Sequence, residues 1–408
     1  MTIHTRHETS IATRAVRASI ATDGQHGAVV PPLHLSTTFS FAGFDQKRRY
    51  DYTRSGNPTR DQLAEALTEL EEGAGGVVTS SGMSAVALAL QLVPAGGRVL
   101  AAHDCYGGTY RLLRALAARG QIELELADLT AADVQSTIAR CRPAMLWVET
   151  PSNPLLRITD LRTVCAAGHA VGAIVVADNT FLSPALQRPL TLGADIVVHS
   201  TTKYLNGHSD VVGGAVIARD PSLVEQLTWW ANCLGLTGSP FDSFLTLRGV
   251  RTLFARMAIH ESNALAVARS LTEHPAVLAV HYPGLPTHPG HALAAGQQSG
   301  FGGMVSFALA GGREAAQELV GALRCFTLAE SLGGVESLIA HPATMTHASM
   351  DAAARRTAGI TDGLFRLSVG IESAADLVND LARALDVVGA VLPAPAVARE
   401  EELATASI

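Results

Sequence analysis

Lysine is the residue type whose distribution points most directly to chemistry in this sequence. Of the 30 lysine and arginine residues, only Lys47 and Lys203 are lysines. Arginine can replace lysine on a solvated surface, but its permanently protonated guanidinium cannot form an imine. Lys47 lies in a polar stretch and is expected to be a solvated charge. Lys203 follows an apolar run, where burial would lower its pKa and leave the amine free to attack a carbonyl carbon.

Two stretches could hold a phosphate near that amine. Ser200 and Thr202 lie just before Lys203, and their hydroxyls are placed to donate to phosphate oxygens. Earlier in the chain, SSGMSA leads from a strand through Gly82 and Met83 into an apolar helix. Backbone amides at a helix N-terminus bind anions. An ordinary turn between strand and helix is the alternative for this stretch.

A carboxylate and an aromatic residue complete the pattern. Asp178 ends the apolar run AIVVAD, and a carboxylate at the end of a buried strand is costly unless it has a partner. The protonated pyridine nitrogen of pyridoxal 5'-phosphate (PLP) is one such partner. A cap on the following turn is the alternative. Tyr106, in HDCYGGTYRL, could lie flat on a planar cofactor. A phosphate turn, a carboxylate and a lysine in this order predict a PLP enzyme.

Other classes lack their motifs. The sequence has no GxGxxG, no GxxxxGK[ST], no HExxH and no GxSxG, so we predict no dinucleotide fold, P-loop, metal site or serine hydrolase. A net charge of −7 without a basic face predicts no nucleic-acid partner. No apolar run is long enough for a membrane helix, and the first residues lack the apolar core of a signal peptide. Five separated cysteines without CxxC favour the cytoplasm.

The order of apolar runs predicts an α/β fold. Six buried strands, GVVTS, RVLAA, AMLWVE, AIVVAD, DIVVHS and GGAVIA, alternate with helical segments between about residues 60 and 260. Thr59 and Gln62 predict a capping box at the start of the first long helix. We expect an N-terminal arm over 1–60 and a PLP-binding domain over 61–260. A smaller α+β C-terminal domain over 261–395 and a frayed tail over 396–408 would follow.

The chain resembles the Cys/Met-metabolism family of fold-type I PLP enzymes. The resemblance extends from about residue 13 to about 390 and is carried by several runs together. These are YTRSGNPTR, SSGMSA, HDCYGGTYRL, ETPSNPLL, VVADNTFLSPALQRPL, HSTTKYLNGHSDVVGG, FDSFLTLRGVRTL and FTLAESLGGVESL.

The resemblance implies a large domain with a mainly parallel seven-stranded sheet, and a role for each matching residue. Lys203 would form the Schiff base with PLP and move protons, Asp178 would pair with the pyridine nitrogen, and Tyr106 would stack on the ring. Gly82, Met83, Ser200 and Thr202 would contact the phosphate, and Tyr52 and Arg54 would contact the phosphate of the neighbouring subunit. Arg366, Asn153 and Ser331 would bind the substrate α-carboxylate. Arg111 and Glu330 would contact the distal end of the substrate.

The resemblance also implies an activity and an assembly. The runs WWANCLGLTGSPFDS and HDCYGG are most similar to family members that make cystathionine, releasing succinate as L-cysteine reacts with O-succinylhomoserine in methionine biosynthesis. Cleavage of cystathionine by a γ-lyase and sulfhydrylation of an O-acylhomoserine are the alternatives. The implied assembly is a homotetramer, a dimer of dimers. At position 55 this chain has serine where some members have arginine.

Overall fold

The computed structural model describes residues 9–348, 350 and 352–391. The predicted tail over 396–408 lies outside these residues. None of the described helices is long and apolar enough to cross a membrane.

A seven-stranded sheet is the larger of two sheets in the structure. Its strands lie in the order β1-β7-β6-β5-β4-β2-β3, and β7 is antiparallel to both of its neighbours while the other pairs are parallel. This confirms the predicted α/β class with a mainly parallel sheet. The strands are β1 Gly75–Thr79, β2 Arg98–Ala102, β3 Glu123–Ala127, β4 Met145–Glu149, β5 Ile174–Asp178, β6 Ile196–Ser200 and β7 Gly214–Ala218.

A second sheet of five strands follows in sequence. It has the order β10-β11-β12-β9-β8 and is antiparallel except for the pair β10 and β11. Its presence agrees with the predicted α+β C-terminal part, while the domain boundaries themselves stay a prediction. The strands are β8 Val277–His281, β9 Met304–Leu309, β10 Thr327–Leu328, β11 Leu338–Ala340 and β12 Leu364–Ser368.

Helices cover both faces of the larger sheet, so its central strands are buried on both sides. Helix α3 packs on β6 and β7 from one face, and α2 packs on β1 and β7. The described helices are α1 Ile11–Val16, α2 Pro58–Glu71, α3 Gly82–Leu90, α4 Gly107–Ala118, α5 Val134–Cys141, α6 Leu161–Ala170, α7 Ser183–Leu186, α8 Pro221–Leu234, α9 Pro240–Val250, α10 Leu253–Glu273, α11 His291–Gln297, α12 Gly312–Ala322, α13 Ala352–Thr357 and α14 Ala374–Val391.

The start of α2 differs from the sequence prediction. Asn57, rather than Thr59, caps the helix: its side-chain oxygen accepts from the amides of Thr59 and Arg60 at 2.9 and 3.3 Å. Pro58 occupies the first helical position, where the missing amide hydrogen has no cost. The Thr59 hydroxyl instead accepts from the amide of His34 in the arm. The predicted capping box was therefore wrong by two residues.

Candidate active site

Three neighbouring strands of the larger sheet end in polar residues. Glu149 ends β4, Asp178 ends β5 and Ser200 ends β6. Because side chains alternate along a strand, these three lie on one face, in line with Trp147, Val176 and Val198 of the core beneath α3. Ligands of open α/β sheets bind at the carboxyl ends of such strands.

The N-terminus of α3 lies close to Ser200. The hydroxyl of Ser81 caps α3 by accepting from the amide of Ser84 at 3.0 Å, so the first amides of the helix, those of Gly82 and Met83, have no acceptor within the helix. A Cβ atom at position 82 would lie only 2.8 Å from the Cβ of Ser200. Glycine therefore allows the helix start to approach β6 closely. Thr202 exchanges hydrogen bonds with the backbone of Gly213 at 3.1 and 3.2 Å.

Lys203 lies in the turn after β6, with its amine directed toward the second sheet. Its Nζ donates to the Ser331 hydroxyl at 2.7 Å. Burial, assisted by the charge of Arg366, lowers the pKa of Lys203 to about 8. Ser331 has a φ of 85°, in the left-handed region that is uncommon for a residue with a side chain. The sequence expectation of a lysine with a lowered pKa agrees with this geometry.

Asp178 is a carboxylate in need of a positive partner. Its Oδ1 accepts from the amide of Thr180 at 3.0 Å, and burial raises its pKa despite this hydrogen bond and the nearby His199. A raised pKa means that the surrounding protein leaves the negative charge incompletely compensated. A protonated ring nitrogen would supply the missing charge.

Glu149 is a site residue that the sequence analysis did not identify. Its Oε2 accepts from the amide of Tyr106 at 2.7 Å, and it pairs in register with Asp178 on the next strand. Burial, and then the charge of Asp178, raise its pKa well above the usual range. The signal was present in the sequence, because Glu149 ends the apolar run AMLWVE as Asp178 ends AIVVAD.

Arg366, on β12, extends from the second sheet toward the same space. Its two terminal nitrogens donate to the Asn153 side chain and to the Ser331 carbonyl, both at 2.9 Å. Its Nε is buried without a partner, and burial lowers the pKa of Arg366 to about 10. A buried guanidinium with an unused donor and no carboxylate partner among the described residues is suited to an anionic ligand.

Tyr106, Arg111 and Glu330 lie together at the outer part of the site. Tyr106 is 42% exposed, immediately before α4. Burial and then the charge of Glu330 raise its pKa, while Arg111 acts in the opposite direction. A Cβ at position 108 would lie 2.5 Å from the Tyr106 ring, so Gly108 is needed for the observed ring position.

These side chains surround one cavity of about 860 Å³. The sequence-predicted residues that line it are Gly82, Met83, Tyr106, Arg111, Asn153, Asp178, Ser200, Thr202, Lys203, Glu330, Ser331 and Arg366. Its lining also includes residues without a sequence signal, among them Thr180, Met345 and Thr346. PLP with an amino-acid substrate fits this set of groups. They are an amine of low pKa, an uncompensated carboxylate, a helix start held close to Ser200, and a buried guanidinium without a carboxylate partner among the described residues.

Tyr52 and Arg54 are not part of this cavity. Both are exposed; the Arg54 guanidinium lies 5.6 Å from the Tyr52 ring centre, and its Nε donates to Asn232 of α8 at 3.1 Å. Within one protomer the structure therefore does not bring them to the Lys203 site. Their implied contact with a neighbouring subunit stays a prediction.

The fold and the site define a PLP-dependent enzyme of amino-acid metabolism. A model of the Cys/Met metabolism PLP-dependent enzyme family matches residues 12–386, and the chain belongs to this family. Its cofactor is PLP. Within this family, the chain is similar to cystathionine γ-synthases. The chain is 53% identical over 371 residues to cystathionine γ-synthase of Escherichia coli K12, covering 91% of this chain and 96% of that protein.

Solved structures agree with the sequence relatives. Cystathionine γ-synthase from Xanthomonas oryzae pv. oryzae, solved with aminoacrylate and cysteine and also with cystathionine, is 62% identical with a TM-score of 0.93. The match covers 94% of this chain and all of that one. Cystathionine γ-lyase from Lactobacillus plantarum, complexed with L-serine, is 39% identical with a TM-score of 0.90, over 93% of this chain and all of that one.

Proposed function

We propose that the chain is a cystathionine γ-synthase, which makes cystathionine and succinate from O-succinylhomoserine and L-cysteine. The observation that carries the proposal is the composition of the cavity: Lys203 and Arg366 for an α-amino acid, with Arg111 at its outer part for a second carboxylate. The 62% identity to a synthase solved with cystathionine supports this choice over γ-lyase, since two γ-lyases of known structure, from Lactobacillus plantarum and Micromonospora echinospora, are 39% and 43% identical. O-acylhomoserine sulfhydrylation stays the other alternative.

Residues that line the cavity are assigned contacts with the cofactor. The amides of Gly82 and Met83, with the hydroxyls of Ser200 and Thr202, would hold the phosphate group. Asp178 would pair with the ring nitrogen and Tyr106 would stack on the ring. Bound PLP supplies an electron sink for negative charge at the carbon next to its imine nitrogen.

Lys203 moves the protons. With a pKa near 8, its amine can both accept and donate a proton close to neutral pH. Its amine would take the substrate Cα proton, give that proton up, and then take a Cβ proton, after which the Cγ–O bond breaks and succinate leaves. The cysteine thiol loses its proton to water as its sulfur forms a bond to Cγ, and Lys203 delivers one proton to Cβ and one to Cα, so that the reaction releases succinate and one proton overall. Ser331, 2.7 Å from Nζ, orients the amine between transfers.

Arg366 and Arg111 fix the two ends of the substrate. Arg366, held from both sides by Asn153 and the Ser331 carbonyl, presents its unpaired Nε to the α-carboxylate. Arg111 faces the distal succinyl carboxylate, and Glu330 lines the same outer part of the site. This arrangement holds Cα near Lys203 while the leaving group points outward.

We further propose a homotetramer built as a dimer of dimers, acting in the cytoplasm in methionine biosynthesis. The exposed apolar residues Val29, Leu35 and Phe44 in the N-terminal arm, and Trp229 on α8, support contacts with another subunit. Tyr52 and Arg54 would then complete the neighbouring subunit's phosphate site. The described cysteines are all free thiols, which agrees with a reducing compartment.

Product identification tests the proposed reaction. With O-succinylhomoserine and cysteine, we expect cystathionine and succinate in equal amounts, measured by mass spectrometry. Without cysteine, O-succinylhomoserine should be converted slowly to 2-oxobutanoate, ammonia and succinate. Absence of cystathionine, with turnover of O-succinylhomoserine only in the presence of sulfide, would instead identify a sulfhydrylase.

A further inference from the structure

A buried polar cluster lies on the face of the larger sheet opposite the cavity. Because side chains alternate, Asn179 and His199 point to that face, while their neighbours Asp178 and Ser200 point into the cavity. Asn179 and His199 are both completely buried. Asp178 and Ser200, which end β5 and β6 in the cavity, are therefore each followed or preceded directly by a residue whose side chain lies on the opposite face of the sheet.

Glu71, the last residue of α2, joins the two strand ends. It is completely buried, and one oxygen, Oε1, accepts from Asn179 Nδ2 at 2.9 Å and is hydrogen-bonded to His199 Nε2 at 2.7 Å. The other oxygen has no partner. One atom of one side chain therefore holds β5 and β6 at the residues adjacent to Asp178 and Ser200.

Gln187 extends the cluster to β4. Its Nε2 donates to the Thr150 carbonyl at 2.9 Å and to Asn179 Oδ1 at 3.1 Å. Thr150 directly follows Glu149, so the third polar strand end is attached to the same cluster. Asn179 in return donates to the Gln187 carbonyl at 2.7 Å. Gln297 of α11 donates to Gln187 Oε1 at 3.2 Å, which links the cluster to the C-terminal half.

Burial makes this cluster stiff. A shift of β5 or β6 would separate Asn179 or His199 from Glu71 in a place where water does not replace the lost hydrogen bond. The cluster therefore resists small displacements of the carboxyl ends of β5 and β6, although its side chains lie on the opposite face of the sheet and do not line the cavity. Outer partners that orient ligand-binding groups are often needed for full activity.

We propose that Glu71 is a positioning residue, whose Oε1 acceptor fixes Asp178 and Ser200 in the spacing that the cofactor requires. The proposal rests on the proposed cofactor contacts of Asp178 and Ser200. It assigns the function to hydrogen-bond acceptance at Oε1, which an amide oxygen can also provide, rather than to the charge of the carboxylate.

Two variants of Glu71 test the proposal in the PLP-bound protein. Glu71→Ala should lower kcat roughly ten- to hundredfold, with little change in KM. It should also raise the dissociation constant of PLP about tenfold and weaken the visible circular dichroism of the bound cofactor, since a less fixed site orients the ring less. Glu71→Gln should keep all three within about threefold, because its amide oxygen accepts the same hydrogen bonds.

Glu72→Ala is the matched control. Glu72 is adjacent, and its carboxylate pairs with the side chains of Arg188 and Arg14 rather than with the cluster. Its removal should change the three quantities less than about twofold, as expected for a surface ion pair.

Two results would overturn the proposal. One is normal circular dichroism and PLP affinity in Glu71→Ala; the other is a Glu71→Gln variant as impaired as Glu71→Ala, which would assign the effect to charge. Gln187→Ala provides a second route if Glu71→Ala does not fold, and the same loss of circular dichroism with a smaller change in affinity is expected. These cofactor readouts do not depend on which substrate is turned over, so they stand apart from a failure of the proposed reaction.

Discussion

The cavity around Lys203 and the arm around Arg54 differ in how their charged groups are held. In the cavity, Asp178, Glu149 and Arg366 are hydrogen-bonded to fixed neighbours from the ends of β5 and β4 and from β12. In the arm, Arg54 is exposed and bonded to one surface side chain of α8. The first region is organised within a single protomer. In the second, Tyr52 and Arg54 lie outside the cavity of their own protomer, and their contribution to another subunit stays a prediction.

The largest expected effect comes from replacing Lys203 in the cavity. Lys203→Ala should lose the yellow colour of the covalently bound cofactor and at least about a thousandfold in turnover. Lys203→Arg should lose as much, because it keeps the positive charge but cannot form an imine. Visible absorbance and kcat measure both effects, and Lys47→Arg is the matched control with no expected change. Retained activity in either Lys203 variant would contradict the assignment.

The second prediction concerns the exposed region. Arg54→Ala and Lys203→Ala should each be inactive alone, yet a mixture should recover activity after subunit exchange. In a hybrid dimer, one site would contain both a normal Lys203 and the partner's normal Arg54. Activity is measured after exchange has been verified by mass spectrometry. If exchange is complete and no activity returns, Arg54 does not act across the interface.

Sequence reasoning was most successful for the strands of the larger sheet. The six apolar runs all became strands; five of these are largely buried, and a strand covered on both faces has to be apolar throughout, while the sixth, β1, is an edge strand that is only partly buried. Strand β3, Glu123–Ala127, had no such run: it lies at the sheet edge and alternates glutamate with leucine. Its exposed side chains leave the weaker, alternating signal of a half-covered strand.

Within the site, the residues that had a chemical reason to be unusual were the ones predicted. Lys203 and Asp178 stood out by residue type and position, and Glu149 could have been found by the same rule. Glu71 could not, since a glutamate at the end of an amphipathic helix is usually solvated and only the fold places it beneath β5 and β6. Contacts between distant segments, such as Thr346 with the cavity, have no local signal at all.

A smaller effect is expected at the outer part of the cavity. Arg111→Ala should reduce catalytic efficiency roughly ten- to hundredfold with O-succinylhomoserine, because a charge-assisted contact with the succinyl carboxylate is lost. With the O-acetyl ester, which lacks that carboxylate, the loss should be much less. Ser55 stands where some relatives have arginine, so Arg111 is the expected cation. Equal losses with both esters would place Arg111 in another role.

The smallest effect concerns the pH dependence of cofactor binding. A pKa of about 8 for Lys203 means that the reactive free amine increases with pH and is nearly complete one unit above that value. The rate at which apoenzyme forms its covalent link with PLP should rise about tenfold per pH unit below 8 and level off above it. Stopped-flow absorbance measures this rate. A rise continuing to pH 10 would show a lysine of ordinary pKa.

The central claim is that the cavity makes cystathionine rather than degrading it. The most direct measurement compares kcat/KM for cystathionine formation, from O-succinylhomoserine and cysteine, with kcat/KM for cleavage of cystathionine by the same preparation. We predict that formation exceeds cleavage by about tenfold or more. Cleavage faster than formation would contradict the proposed function and assign the protein to the lyases.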